Sequence, residues 1–459
     1  MMKKDTICAI STPPGISGIG IIRISGTGTR TILGKIFLPK NPMPVMQWPS
    51  HSVRYGHIVK GTEIIDETLV TFMKKSRTYT REDMAEIGCH GGFASLKKVL
   101  SLCIESGCRL AQPGEFTKRA FLNGRIDLPQ AESVLSIILA QTEKSLEISL
   151  HQLSGSFSTR INLLRSDLLS LSSDIEGMID FSEVHGLEDS LPKMYQRIDR
   201  LLHDTTFLLN TGKEGKIFIE GIRLAIVGKP NVGKSSLLNL LCEEEKALVS
   251  EIPGTTRDAI ETMIAVQGIP LRIVDTAGIR KPRESLESLG IERAKQWMQR
   301  AEIVLLLLDG SLPLDSEDDE LLNEIGDKPA ILIKNKSDLP EAWNIGDLPK
   351  KFSARDFVTI SCIEKTGIDM LESRISQIIE QGMITGGDPD FYLNLRQEAL
   401  LKAIQKHLSH AWSGYAQKVP LDMVAEDIRS ALSAANEITG RGASEELLDT
   451  IFGVFCIGK

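Results

Sequence analysis

At 459 residues, 42% of them hydrophobic, the chain is long enough for about three domains with ordinary cores. Its 53 Lys and Arg against 61 Asp and Glu leave a formal charge of −8, which excludes a protein whose whole surface grips nucleic acid; any RNA contact must come from a local patch or a partner. The seven cysteines (Cys8, Cys89, Cys103, Cys108, Cys242, Cys362, Cys456) are scattered and odd in number, with no CxxC pair, which argues against a disulfide framework or zinc module and for a reducing compartment.

The opening segment MMKKDTICAISTPPG has basic residues but no long apolar core before its prolines, so it makes a poor signal peptide. Residues 1–122 then carry short β-type runs broken by turn residues: TICAIST, GIGIIRIS, VRYGHIV, DETLVTFM and MAEIGCH. Helical patterns are few there, near 93–106 and 114–122, and the segment is expected to be a small α+β domain. From Leu128 the character changes. Asp127 can cap a helix with Pro129 in its first turn, and PQAESVLSIILAQTEKSLEISLHQL follows with apolar residues three and four apart. The periodicity recurs in INLLRSDLLSLSSDIEGMI and YQRIDRLLHDTTFLLN, so 123–215 is expected to be helical.

Near Gly215 the pattern switches. RLAIVG, PLRIVD, IVLLLLD, AILIKN and FVTISC are apolar strands alternating with helices, the signature of a doubly wound parallel sheet over 216–380. The run IVLLLL at 303–308 is too short to span a bilayer and reads as a buried strand, so a cytoplasmic protein without a membrane partner is expected. Over 381–459 helices return in FYLNLRQEALLKAIQKHLSHAW, PLDMVAEDIRSALSAANEI and ASEELLDTIFGVF. The simplest account is one helical domain interrupted by an inserted nucleotide domain; an independent C-terminal domain is the alternative.

Three linked motifs define the nucleotide. Residues 228–235 read GKPNVGKS, followed by DTAG at 275–278 and NKSD at 335–338. The first lies between a strand and a helix, the context a phosphate loop requires. Its backbone N–H groups and the helix dipole favour an anion, with Asn231, Val232, Gly233, Lys234, Ser235 and Ser236 around the phosphates. Lys234 supplies a point charge, and the Ser235 hydroxyl suits Mg²⁺. Ser250, Glu251, Ile252, Pro253, Gly254 and Thr255 lead into GTTRD, where Thr256 is favoured as the second Mg²⁺ ligand. Asp275 suits an outer-shell Mg²⁺ role, and Thr276, Ala277 and Gly278 follow it, the Gly278 N–H able to sense a γ-phosphate.

Asn335, Lys336, Ser337 and Asp338 read the base, with Ser361, Cys362 and Ile363 behind it. One carboxylate can accept both the N1–H and the amino group of guanine, whereas adenine would leave it unpaired, so GTP is the expected ligand. In Ras-type enzymes a glutamine after DTAG orients the attacking water; here that position is Ile279. Another polar group must do so, and Glu284 and Glu287 are the nearest carboxylates. A monovalent cation held at Asn231 would supply the positive charge that an arginine finger gives elsewhere.

A GTPase domain set in helices, preceded by TPPGISGIGIIRISG, HGG and PGEFTKRAFLNGRIDLPQAE and ended by CIGK, resembles the MnmE (TrmE) family of tRNA-modification GTPases over essentially the whole chain. The resemblance implies a homodimer that forms a heterotetramer with the FAD-dependent flavoprotein MnmG and modifies C5 of the wobble uridine of certain tRNAs with a carboxymethylaminomethyl or aminomethyl group. It also implies K⁺-stimulated hydrolysis through GTPase-domain dimerisation, with K⁺ ligands at Asn231, Ser250, Ile252 and Thr255 and the catalytic glutamate at Glu287. A 5-formyl-tetrahydrofolate-type donor is implied at Arg23, Glu86, Arg125 and Lys459; lysine is commoner at the third position, and arginine keeps its charge but not its geometry. The role of Cys456 stays open. His90, His407 and His410 lack a carboxylate or thiol cluster that would complete a metal site. The alternative is a regulatory GTPase of ribosome assembly, which would bind no folate and ignore K⁺.

Overall fold

The computed structural model describes residues 5–180, 187–243, 247–248, 262–273, 290–349, 352, 356–383 and 387–459. The chain groups into two compact units, one of Met1–Leu135, Ser158–Asp174 and Ile428–Lys459, the other of Ser136–Phe157 and Ile175–Asp427. The architecture is multidomain, α+β, helical and doubly wound α/β, as the alternation of periods implies.

In the first unit, strands β1 (Ile7–Ile10), β2 (Gly20–Ser25), β3 (Phe37–Pro39), β4 (Ser52–Lys60), β5 (Glu63–Met73), β6 (Met84–Cys89) and β7 (Arg109–Leu110) form one sheet in the order β3-β4-β5-β6-β2-β1-β7. Its pairs are antiparallel except β1 with β7. Alternation decides the faces. Ile22, Ile24, Ile58, Val70, Phe72 and Ile87 point inward, into a core they share with residues of the helices Thr29–Ile36 and Phe93–Glu105. Arg23, Glu86, Thr71 and Val53 lie opposite one another in successive strands and so share the other face.

The PGEFTKR motif forms an ionic clamp. Glu115 opens the helix Glu115–Leu122, and Arg119, one turn on and buried, donates to Glu115 at 3.0 Å, to Asp5 at 2.6 Å and to Glu82 at 3.1 Å. Arg109 adds a second guanidinium, 2.6 Å from Glu115 and 2.8 Å from Asp5. Burial works against ionising Asp5 and Glu115, but the two guanidiniums override it and hold both carboxyls below their ordinary range.

Two departures from the sequence pattern have local causes. The periodic run 129–153 divides into helices Leu128–Leu139 and Glu143–Ser154. Between them Thr142 adopts an extended backbone, its hydroxyl accepts the Ser145 N–H, and Ser145 Oγ accepts the Thr142 N–H. This capping box outcompetes helix continuation. At the start of the first helix, Asp127 and Gln130 exchange the equivalent pair of bonds, each at 3.0 Å.

The second departure is at Gly215, where helical character does not end: the helix Leu187–Glu220 runs through it. Gly212 and Gly215 lie on one helix face, and the segment 391–393 crosses them at backbone distance. A Cβ on Gly215 would sit 2.0 Å from the Phe391 carbonyl oxygen, and one on Gly212 would sit 2.2 Å from the Leu393 side chain. Leu393 N–H donates to the Gly212 carbonyl at 3.2 Å. Glycine is here a contact residue, not a breaker.

The second sheet comprises β8 (Ile222–Val227), β9 (Ala247–Leu248), β10 (Thr262–Val266), β11 (Ile269–Ile273), β12 (Ile303–Asp309), β13 (Ala330–Asn335) and β14 (Asp356–Thr359), in the order β14-β13-β12-β8-β11-β10-β9. β8 and β11–β14 are parallel, and β10 returns antiparallel. The chain leaves β8 for β11 on one side and β12 on the other, so the carboxyl end of β8 is a topological switch point. GKPNVGKS begins there.

Replacing Arg119 by Met should leave Asp5, Glu82 and Glu115 short of positive charge and cost about 3–5 kcal/mol of stability, measured by denaturant unfolding. Since both depressed carboxyls ionise more readily folded than unfolded, the native protein should hold its stability above about pH 4.5 and lose it as pH falls further. The variant should show a shallower acid loss; an equally steep one would detach the clamp from acid stability.

Candidate functional site

The phosphate loop is shaped by positions that tolerate left-handed backbone. Gly228 (φ +152) has no room for a Cβ, which would lie 2.5 Å from the Leu307 carbonyl oxygen, and Gly233 (φ +105) would drive one to 2.2 Å from Asn335 Nδ2. Asn231 adopts φ 65 and is exposed. The helix Lys234–Glu243 starts directly after, so its first N–H groups open onto the loop. Lys234 Nζ donates to the Gly228 and Lys229 carbonyls, at 2.8 and 2.6 Å. Burial pushes this ammonium down to about 8, and neither of those carbonyls carries a formal negative charge, so a phosphate would satisfy it. Ser235 and Ser236 are exposed at the start of the helix.

The base-reading loop is joined to the phosphate loop by one buried amide. Asn335, at the end of β13, donates from Nδ2 to the Val232 carbonyl at 2.7 Å and accepts the Cys362 N–H on Oδ1 at 3.2 Å. Asp338 is half-buried and accepts the Ser361 hydroxyl on Oδ1 at 2.6 Å. Ser361 is buried, Ile363 is exposed, and burial pushes the Cys362 thiol up to about 11. Ser337 N–H donates to the Ile360 carbonyl at 3.2 Å. Thus residues 231–235, 335–338 and 361–362, remote in sequence, meet at the carboxyl ends of the parallel strands. Ser250, Glu251, Ile252, Pro253, Gly254, Thr255, Thr256, Asp275, Thr276, Ala277, Gly278, Glu284 and Glu287 lie outside the described residues.

A second cluster stands on the first sheet. Arg23 donates from Nε and Nη2 to Glu86 Oε1, at 3.0 and 2.8 Å, and from Nη1 to the Gly458 carbonyl at 3.1 Å. Gly458 (φ +95) fits only because it has no Cβ, which would lie 2.5 Å from the Ile10 carbonyl oxygen. Ser11 Oγ donates to the same Gly458 carbonyl, and Phe116 N–H donates to the Lys459 carbonyl at 3.2 Å. The CIGK tail is therefore docked beside Arg23. The half-buried Lys459 ammonium is lowered by burial and then by Arg23. Arg125 joins through Tyr79, whose ring centroid lies 4.6 Å from its guanidinium carbon and 5.9 Å from that of Arg23. Sequence reasoning passed over Tyr79, which sits in the aperiodic SRTYTRED. Cys456 is exposed.

The histidines have ordinary partners. His90 Nδ1 lies 2.6 Å from Asp66, which raises its basicity, and His407 Nδ1 lies 2.8 Å from Asp427. Among the described residues no group of three His, Cys, Asp or Glu side chains is arranged to hold a metal, and no helix is long and apolar enough to cross a membrane.

A parallel sheet with a phosphate loop at its switch point, linked to an Asn-Lys-Ser-Asp loop, defines a P-loop GTPase carrying further domains. The chain matches the models of the MnmE helical domain over residues 128–456 and of the GTP-binding protein TrmE N-terminus over residues 6–125. It is 42% identical over 461 residues to the tRNA modification GTPase MnmE of Alkaliphilus oremlandii, covering 100% of both chains. It is likewise 42% identical over 459 residues to that of Lactiplantibacillus plantarum, covering 99% and 98%. Among solved structures, the G domain of the T. maritima FeoB iron transporter is 25% identical, with a TM-score of 0.26, covering 34% of this chain and 97% of that one. The chain belongs to the MnmE family.

Asp338→Asn should weaken guanine binding and shift preference toward xanthosine triphosphate by about tenfold or more, the order of one charge-assisted hydrogen bond. Competition between the two triphosphates measures it; an unchanged preference would remove Asp338 from base recognition.

Proposed function

We propose that the protein hydrolyses GTP and couples that cycle, with the flavoprotein MnmG, to modification at C5 of the wobble uridine of certain tRNAs in the cytoplasm, installing a carboxymethylaminomethyl or aminomethyl group. The observation that carries this reading is the coexistence in one chain of the linked phosphate and base loops with the docked tail beside Arg23 and Glu86. Relatives named tRNA modification GTPase align along the whole length, which favours this over a ribosome-assembly role. The division proposed is an N-terminal domain (1–122), two helical parts (123–215 and 381–459) and the inserted GTPase domain (216–380).

The residues suit the groups the reading requires. The buried Lys234 ammonium and the open helix start fit the β- and γ-phosphates of GTP. The Ser235 hydroxyl and Thr256 would serve as hard oxygen ligands for Mg²⁺, and Asp275 would support it. Asn231, exposed in the phosphate loop, would join Ser250, Ile252 and Thr255 around K⁺. Either cation supplies positive charge against the triphosphate. Glu287 orients the attacking water, a role the aliphatic Ile279 cannot fill.

For the folate, Glu86 offers an acceptor to the N–H groups of a reduced pterin, while Arg23, Arg125 and Lys459 offer cations to its carboxylates. When bound, a 5-formyl-tetrahydrofolate-type molecule supplies the one-carbon unit. Homodimerisation is supported by the same sheet face, where Leu38, Val53, Tyr55 and Leu69 are exposed apolar side chains. The family resemblance supports a heterotetramer of that dimer with MnmG.

Glu287→Ala should leave GTP affinity within about twofold while slowing hydrolysis by about 10²–10⁴, the range of a lost general base. Native hydrolysis should accelerate when Na⁺ is exchanged for K⁺; indifference to the cation, or equal loss of binding and turnover, would refute this assignment. Titration with 5-formyl-tetrahydrofolate should show binding that Arg23→Ala weakens about tenfold or more, on the scale of a charged hydrogen bond. No folate binding by the native protein would sink the one-carbon reading.

A further inference from the structure

Lys336, in the base-reading loop, has a left-handed backbone (φ 68) in a turn where the Leu339 N–H donates to its carbonyl at 3.0 Å. Its side chain is held by Asp309, the last residue of β12. Its carboxylate is divided between two tasks: Oδ2 accepts Lys336 Nζ at 2.5 Å, and Oδ1 accepts the Ser311 N–H and hydroxyl at 2.9 and 2.6 Å. Asp309 is only 8% exposed, so the pair is poorly screened. Burial works against its ionisation, and Lys336 and Ser311 override that.

Asp309 is itself held from behind. Trp343 Nε1 donates to the Asp309 carbonyl at 2.7 Å, and the buried Lys334 ammonium donates to the Trp343 carbonyl at 2.6 Å. Gly310 N–H donates to the Asn335 carbonyl, and Ala342 N–H donates to the Gly310 carbonyl. The ends of β12 and β13 and the 341–343 segment thus form one tied block, and the Asp309 carboxylate projects from it to Lys336 and Ser311.

We propose that Asp309 is a positioning residue for the nucleotide: by anchoring the Lys336 ammonium it fixes the lysine's aliphatic stem as a preorganised wall for the base, and so slows nucleotide release. This rests on the reading of residues 335–338 as the base-recognition loop. Without the anchor, the four-carbon stem samples many rotamers, and binding must order it. Asp309 touches neither the base edge nor the phosphates by this account; it acts through Lys336.

The test is a double-mutant cycle read by stopped-flow dissociation of a fluorescent methylanthraniloyl-GDP. Asp309→Asn keeps an acceptor for Ser311 and removes the charge. It should speed dissociation about tenfold and raise the KM for GTP, with kcat at saturation within about twofold. Lys336→Met should also speed dissociation, and adding Asp309→Asn to it should produce no further change. Asp309→Glu should recover part of the loss. Additive effects in the cycle, or unchanged dissociation in Asp309→Asn, would overturn the proposal and leave Asp309 a structural residue. If instead Lys336→Met alone changes nothing and Asp338→Asn keeps its guanine preference, the base-recognition reading fails, and this inference with it.

Discussion

The nucleotide site depends on one buried amide. Asn335 spans the gap between the phosphate loop and the 361–363 segment by giving its N–H to one and its oxygen to the other. The bond to the Val232 carbonyl is buried and that from the Cys362 N–H partly so, and losing the amide would remove a partner from both backbone groups at once. Its approach also explains why residue 233 is glycine: any side chain there would occupy the space of the Asn335 amide. Phosphate binding and base reading are therefore mechanically joined before any ligand arrives.

The first unit is organised by charge in much the same way. The PGEFTKR motif, seen in sequence as a family marker, supplies Glu115 and Arg119 to a clamp of two guanidiniums and three carboxylates that ties residue 5 to the 82 and 115–119 segments. Beside it, the tail is docked through main-chain groups of Gly458 and Lys459. The Arg23 and Ser11 side chains and the Phe116 N–H donate to their carbonyls. The cluster of Arg23, Glu86, Tyr79, Arg125 and Lys459 is thus assembled from four separated stretches of chain.

Much was legible from residue order because short-range physics decides it. The period-two runs became β1, β2 and β4–β6, and the apolar runs became parallel strands because helices must cover both faces of such a sheet. Asp127 caps its helix as its residue type suggests. What residue order missed was competitive or tertiary in cause: Thr142 and Ser145 cap a helix inside an unbroken apolar period, and glycine at 215, within the helix Leu187–Glu220, leaves room for the 391–393 segment that crosses it.

By itself, the sequence determined the class of site, since GKPNVGKS, NKSD and their spacing specify backbone conformations and donor types that few ligands match. Only the tertiary structure decided which groups meet: that Asp309 reaches Lys336, that Tyr79 stands between Arg23 and Arg125, and that the last two residues lie against the first sheet. Periodicity and motif spacing report interactions within a few residues. Pairings across tens or hundreds of residues depend on strand order and on close backbone approach, which no local pattern encodes.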